Sequence, residues 1–184
     1  LVFDLMPAPA AFTDTGIRLP KEDELVKNTT SHDIFYATDR RPATAKDKQQ
    51  FYTSQRGNAL RLGRAEIETG RDDLTWQDAR KVSLLKTRSE KFPIKVKAVK
   101  EYGVMDESVH KYSILTQDDI DTSDSATKQY IKEINNKLAK SKNRTINIFV
   151  HGYKVTFENP ILTTAEMWHF LAYDGVFIAY SWPS

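Results

Sequence analysis

The chain has 184 residues and a formal net charge of +2 at pH 7, with 40% hydrophobic and 28% charged residues. This length is enough for one domain with its own core, and the composition is ordinary for a globular protein. The small charge, spread over alternating acids and bases, argues against a nucleic-acid partner. No apolar run reaches the ~18 residues of a membrane span. Because cysteine is absent, disulfides and zinc–thiolate sites are excluded, and the sequence predicts neither a metal nor a cofactor.

Residues 1–30 are predicted to form an irregular arm, because prolines such as Pro7 and Pro20 interrupt regular structure. The arm starts with an apolar segment, residues 1–6. That segment either docks on the domain or is the remnant of a longer N-terminal region. A single domain is expected over residues 31–184.

The front half of this domain is strand-rich and is expected to be antiparallel. Apolar residues alternate with lysines from Ile94 to Ala98, which makes this the clearest strand. It extends to Val99 or Val104. The other strand candidates are weaker and cover residues 31–38, 59–68, 82–85 and 112–116.

The pattern becomes helical after residue 120, with N-cap candidates at residues 121–124. The predicted elements that follow are a strand at 145–150, a helix at about 157–172, a turn at 174–175 and a strand at 176–181. A strand–helix–strand unit of this length predicts a parallel crossover. Both strands are nearly continuous apolar runs, which is typical of a sheet covered on both faces. The N-cap of this helix is either Thr156 or Asn159, and in the second case Pro160 is the first helical residue.

The turn at His151-Gly152 carries the strongest chemical signal. A strand that ends in His-Gly and leads into a helix is a way of building an oxyanion hole. Gly152 has no Cβ, so the backbone can approach a substrate. The following helix directs its free N–H groups and positive dipole to the same place. The alternative is that His-Gly only ends the strand in a tight turn.

Other candidate residues give weaker signals. Ser181 and Ser184 follow the last strand, at the edge where open α/β sheets bind ligands. Neither has the flanking glycines of a nucleophile elbow, and Ser181 and Trp182 are instead expected to line a pocket wall. The remaining histidines lack a partner at metal-ligand or triad spacing: His32, His110 and His169.

Three segments occur together in one order: Ile34–Arg40 (IFYATDR), Phe149–Tyr153 (FVHGY) with Thr156–Glu158 (TFE), and Tyr180–Ser184 (YSWPS). With this combination the chain resembles, over about residues 31–184, the N-terminal part of a group of bacterial α/β-hydrolases known only as a domain of unknown function. The resemblance implies an incomplete α/β-hydrolase fold, with antiparallel front strands and a parallel crossover at the C-terminal end. Such proteins continue into a serine elbow, an acid and a histidine, and none of these is found here.

The resemblance further implies a serine hydrolase that acts on carboxylic esters, with amides or thioesters as the less favoured alternative. This chain would supply the oxyanion loop, with the main-chain N–H of Tyr153 as donor and with Gly152, His151 and Lys154 around it. Lys154 stands where the group usually has asparagine, a side chain that could orient the loop.

The nucleophile, acid and base would come from a C-terminal remainder, possibly a second chain. That remainder would cover an open edge at strand 176–181. The fragment alone is expected to be inactive, and an exported or lipid-anchored location is favoured over the cytoplasm. The alternative function is a non-catalytic binding domain that keeps the hydrolase scaffold.

Overall fold

A computed structural model describes residues 1–13, 26–85 and 87–184, and over these ranges the chain is a mixed α/β protein. The strands are β1 (Val2–Asp4), β2 (Ser31–Pro42), β3 (Tyr52–Thr69), β4 (Pro93–Val104), β5 (Ile146–Val150) and β6 (Val176–Ser181). The helices are α1 (Ala10–Thr13), α2 (Trp76–Ser83), α3 (Gln117–Lys140) and α4 (Glu158–Phe170), with a 3₁₀ turn at Asp106–Ser108. No helix in these ranges is long and apolar enough to cross a membrane.

The described strands form one mixed sheet in the order β1-β4-β3-β2-β6-β5. The front strands β1 to β4 pair antiparallel. By contrast, β6 is parallel to both of its neighbours, with Ala179 opposite Tyr36 of β2 and Phe149 of β5. The antiparallel front and the parallel crossover are therefore confirmed. The crossover places the carboxyl ends of β5 and β6 side by side at the same end of the sheet.

Helices cover the two faces of the sheet, and each face has its own core. On one face α2 and α4 pack with Trp76, Trp168 and Phe157 among the buried side chains. On the other face α3 packs Tyr130 and Ile134 against the strands. β6 lies between the two layers, which explains why this strand is apolar from Val176 to Tyr180.

The long helix α3 begins earlier than its sequence suggests. Thr116 is the N-cap, and its hydroxyl accepts a hydrogen bond from the N–H of Asp119 at 3.1 Å. The carboxylate of Asp119 in turn accepts a hydrogen bond from the N–H of Thr116, which completes a capping box. The predicted caps at residues 121–124 lie inside the first turns instead. The cap was missed because an aspartate, rather than the usual glutamate or glutamine, closes the box.

Two short strand predictions are wrong. Val82 and Ser83 end α2, whose Trp76 and Ala79 are fully buried on one helical face. Residues 112–116 have no regular structure, and Tyr112 and Ile114 are largely exposed. A strand there would have nothing to pack against.

The prediction that residues 176–181 form an open edge is also wrong. Strand β6 pairs on both sides, whereas β5 has one free edge within the described sheet. Its outward side chains are exposed: 49% for Ile146, 63% for Ile148 and 57% for Val150. The apolar run of β5 therefore does not mark a strand covered on both faces, because α3 leaves this end of the sheet open.

The apolar start of the chain docks on the domain, which was one of the two alternatives. Phe3 of β1 pairs with Ile94 of β4, and Leu5 is buried in the core beside α4. The main-chain N–H of Met6 donates to the carboxylate of Glu166 at 2.9 Å. The remainder of the predicted arm, residues 14–25, lies outside the described ranges.

Candidate functional site

The His-Gly segment, residues 151–157, joins the carboxyl end of β5 to the start of α4. The residues after β6 reach the same edge of the sheet, and so does the end of β2, because these three strands are parallel. We call residues 151–157 the His-Gly loop. Open α/β sheets bind ligands at this kind of edge, so the topology places the predicted site where chemistry is expected.

His151 connects the loop to the strand beside it. Its imidazole is buried and stacks on the indole of Trp182, with ring centroids 5.2 Å apart and an interplanar angle of 6°. Nδ1 lies 2.7 Å from the Gly152 carbonyl oxygen, and Nε2 lies 3.0 Å from the Trp182 carbonyl oxygen and 3.1 Å from the Trp182 main-chain N. Burial lowers the pKa of His151, which favours the neutral ring. With both nitrogens bonded, His151 holds the loop in place rather than serving as a free base.

The middle of the loop is open to solvent and makes few internal bonds. A Cβ built on Gly152 would meet no atom within 4 Å, and Tyr153 is 79% exposed. Further along, the Val155 N–H donates to Ser184 Oγ at 3.2 Å and the Thr156 N–H donates to Asn159 Oδ1 at 2.9 Å. Among the described residues, the main-chain N–H of Tyr153 has no hydrogen-bond acceptor. It is thus available to an external one.

The start of α4 matches neither predicted cap. The helix begins at Glu158 after Phe157. Asn159 lies inside the first turn, where its side-chain oxygen accepts from both the N–H and the hydroxyl of Thr156. Pro160 is also in that turn, where its missing N–H costs no helical hydrogen bond.

Lys154 is the strained residue of the loop. Its φ of +62° lies in the left-handed region, which asparagine and glycine adopt far more readily than lysine. An asparagine at this position would adopt the same φ at a lower conformational cost.

The Lys154→Asn variant is therefore expected to be more stable than the wild-type chain by about 0.5–1 kcal/mol. Urea denaturation followed by circular dichroism would measure the change. The control is Lys48→Asn, at an exposed loop lysine without a positive φ. Equal stability of the two variants would show that the φ of Lys154 imposes no cost.

The two serines after the last strand are occupied by structural bonds. Ser181 is fully buried, and its Oγ accepts from Nε of Arg40 at 3.0 Å. Ser184 Oγ accepts from the Val155 N–H. Neither hydroxyl has a histidine partner in the described ranges. Ser181 is thus too deeply buried to line a pocket wall, whereas Trp182 is partly exposed beside His151.

A serine and a histidine do meet elsewhere in the fold. His169 Nε2 lies 3.1 Å from Ser83 Oγ, and its Nδ1 lies 2.7 Å from the hydroxyl of Tyr173. These distances resemble those of a catalytic triad. The sequence did not reveal the contact with Ser83 because this serine belongs to a separate helix, α2. All three side chains are almost completely buried, so no substrate can reach them. The hydrogen bond between Ser83 and His169 instead connects α2 to α4.

A charged cavity of about 560 Å³ lies at the amino end of β2, away from the His-Gly loop. In its wall, His32 stacks on Trp168 with ring centroids 4.1 Å apart, and its Nε2 accepts from Lys137 Nζ at 2.7 Å. Burial, with the charge of Lys137, lowers the pKa of His32 well below its usual value. Within the described residues no cluster of three or more potential metal ligands occurs.

The fold and the loop define a mixed α/β protein with a crossover of the kind found in hydrolases. A protein-family model described as "Alpha/beta hydrolase of unknown function (DUF900)" matches residues 124–184. The match starts inside α3 and covers β5, the His-Gly loop, α4 and β6. No curated protein and no solved structure matches the chain. Over its C-terminal third the chain is therefore similar to α/β hydrolases.

Proposed function

We propose that this chain supplies the oxyanion loop of a serine hydrolase that cleaves carboxylic esters. The observation that carries the proposal is the unpaired main-chain N–H of Tyr153, on an exposed loop at the carboxyl end of a parallel strand. The hydrolase-like match over residues 124–184 supports the same class.

The chemistry follows from the charge that develops in ester cleavage. A serine oxygen attacks the carbonyl carbon, and the electron pair of the C=O bond moves to the carbonyl oxygen. The Tyr153 N–H donates to that oxygen, and the positive end of α4 adds to the stabilisation. Gly152 leaves room for the substrate because no side chain projects from the loop there. The role of His151 is to hold this loop against Trp182.

The serine, the acid and the catalytic histidine are proposed to come from a C-terminal remainder of the domain. Its first strand would pair with the free edge of β5, next to the exposed side chains of Ile146, Ile148 and Val150. This position differs from the one expected from sequence, since β6 is already paired on both sides. Pairing there would place residues that follow the added strand next to the His-Gly loop.

The test compares residues 1–184 with the same chain extended by the segment that follows it. We expect turnover of p-nitrophenyl acetate and labelling by a fluorophosphonate only in the extended protein. A structure of the labelled protein should show the phosphoryl oxygen about 2.7–3.1 Å from the Tyr153 main-chain N. Turnover by residues 1–184 that is lost in Ser181→Ala or Ser184→Ala would contradict the proposal.

A non-catalytic binding domain is the second candidate, and the charged cavity at the amino end of β2 favours it. The lining charges are those of Asp33, Arg64, Glu66, Glu133, Lys137 and Lys140. An extended protein that folds, remains unlabelled by the fluorophosphonate and carries no serine elbow would support this function instead.

A further inference from the structure

The guanidinium of Arg40 is completely buried at the edge of the sheet that carries the His-Gly loop. Its Nε donates to Ser181 Oγ at 3.0 Å and its Nη1 to the Thr53 carbonyl at 3.3 Å. Its Nη2 donates to two carbonyl oxygens, that of Val155 at 2.9 Å and that of Trp182 at 2.6 Å. One side chain thus joins β2, β3, the loop and the segment after β6.

The acceptors are all neutral, so the arrangement is not an ion pair. Asp39 and Glu158 act on Arg40 only through their charge, and burial, the larger effect, lowers the pKa of the guanidinium. Burying a cation without a carboxylate partner is costly unless its donors are satisfied. A rigid planar fork with five donors can reach acceptors in several directions, which an ammonium group on a flexible stem cannot do. The site therefore needs the shape of arginine as well as its charge.

The loop has one anchor at each end and none in the middle. His151 fixes the start against Trp182, whereas Arg40 and Ser184 hold Val155 at the end. Between them, Lys154 keeps a left-handed φ, a conformation that persists only where the surroundings impose it.

We propose that Arg40 is the positioning residue of the His-Gly loop, because its bonds to Val155 and Trp182 set the direction of the Tyr153 N–H. Arg40 contacts no substrate itself. The catalytic consequence of this role rests on the proposed function, but the positioning can be measured without any activity.

Trypsin provides that measurement, since Lys154 is an exposed cleavage site inside the loop. In the Arg40→Lys variant of residues 1–184, cleavage after Lys154 is expected to accelerate at least ~10-fold, since each lost buried hydrogen bond is worth about 1 kcal/mol. The matched control is Arg56→Lys, at a neighbouring, mostly exposed arginine paired with Asp39. Cleavage after Lys142, in the exposed segment after α3, is the internal reference in the same digest. An Arg40→Lys chain with the wild-type ratio of cleavage after Lys154 to cleavage after Lys142 would overturn the proposal.

Chemical rescue gives a second measurement that does not depend on how well the lysine variant folds. In Arg40→Ala, guanidinium at low millimolar concentration is expected to slow cleavage after Lys154 again, whereas equal sodium chloride is not. A general loss of packing would not be repaired by a small ion of this shape. If sodium chloride slowed the cleavage as much as guanidinium, a specific role of the Arg40 guanidinium would be contradicted.

In the extended protein, Arg40→Lys is expected to lower kcat about 10²-fold, since a misplaced donor affects the transition state more than binding. KM should stay close to that of the wild type. If the wild-type protein shows no turnover, the proposed function fails while the proteolysis result still decides the positioning. If the loop is loosened and kcat is unchanged, the loop has no part in catalysis and the positioning proposal is overturned in its catalytic sense.

Discussion

Between pH 7 and pH 4, the wild-type chain is expected to lose about 3 kcal/mol more stability than its His169→Gln variant. Burial, with a smaller effect of the Arg80 charge, lowers the pKa of His169 to about 3. The ordinary value is near 6.5 in an unfolded chain. Between these two values the unfolded state binds a proton that the folded state does not. The stability is therefore complete above pH 6.5 and is lost as the pH falls towards 3.

The measurement is the free energy of unfolding in urea at several pH values for both chains. The dependence of this free energy on pH must be compared between the two chains, because Glu166 changes it in the opposite direction. Burial raises the pKa of this carboxyl to about 7, so its protonated form adds stability below pH 4.5 that is lost as the pH rises through 7. Glu166 is present in both chains and cancels in their difference.

A Glu166→Gln variant supplies the reciprocal check and should lose more stability on acidification than the wild type. His110→Gln, at an exposed histidine, is the control and should follow the wild-type curve. Parallel curves for the wild type and His169→Gln would show that His169 does not remain neutral in the fold.

The second large effect is expected at Gly152 in the extended hydrolase. Gly152→Val should lower kcat by about 10²–10³, because the added branch fills space that the ester needs and turns the oxyanion donor. Stability should change little, since a Cβ at this position meets no atom and Gly152 has no positive φ. Ester kinetics and urea midpoints, measured on the same preparation, separate the two effects.

Gly175 is the control, because a valine there is expected to lower stability. It has a φ of +88°, and a Cβ there would lie 2.8 Å from Thr145 Oγ1. Gly175→Val should therefore destabilise the fold, whereas Gly152→Val should spare it. A fully active Gly152→Val enzyme would contradict the assignment of the open space to substrate.

The sequence predicted well those elements whose local hydrophobic pattern reflects which of their faces are buried. Alternation in β4 and the unbroken apolar run of β6 both report covered faces, and both strands are present. The run of β5 looks the same but belongs to an exposed edge strand. Its exposure depends on β6 inserting beside β2, a long-range choice that no local window contains.

In the candidate site, too, local features were predictable and long-range contacts were not. The His-Gly loop was visible because its residues are consecutive and the strand and helix around it have clear patterns. The role of Arg40 was hidden, although the residue lies in a recognisable segment. Its acceptors belong to Thr53, Val155, Ser181 and Trp182, which are distant in the sequence. Only the folded sheet brings them together.

The central place of β6 has a consequence for how the chain is made. Among the described strands β6 is the last to leave the ribosome, yet Ile178 must pair with Phe35, near the start of the domain. The antiparallel meander of β2, β3 and β4 can form early from neighbouring segments, whereas joining β5 to β2 waits for β6. Such long-range pairing slows folding and leaves strand edges exposed in the meantime. A nascent chain of this protein is thus expected to depend on chaperones until β6 has been synthesised.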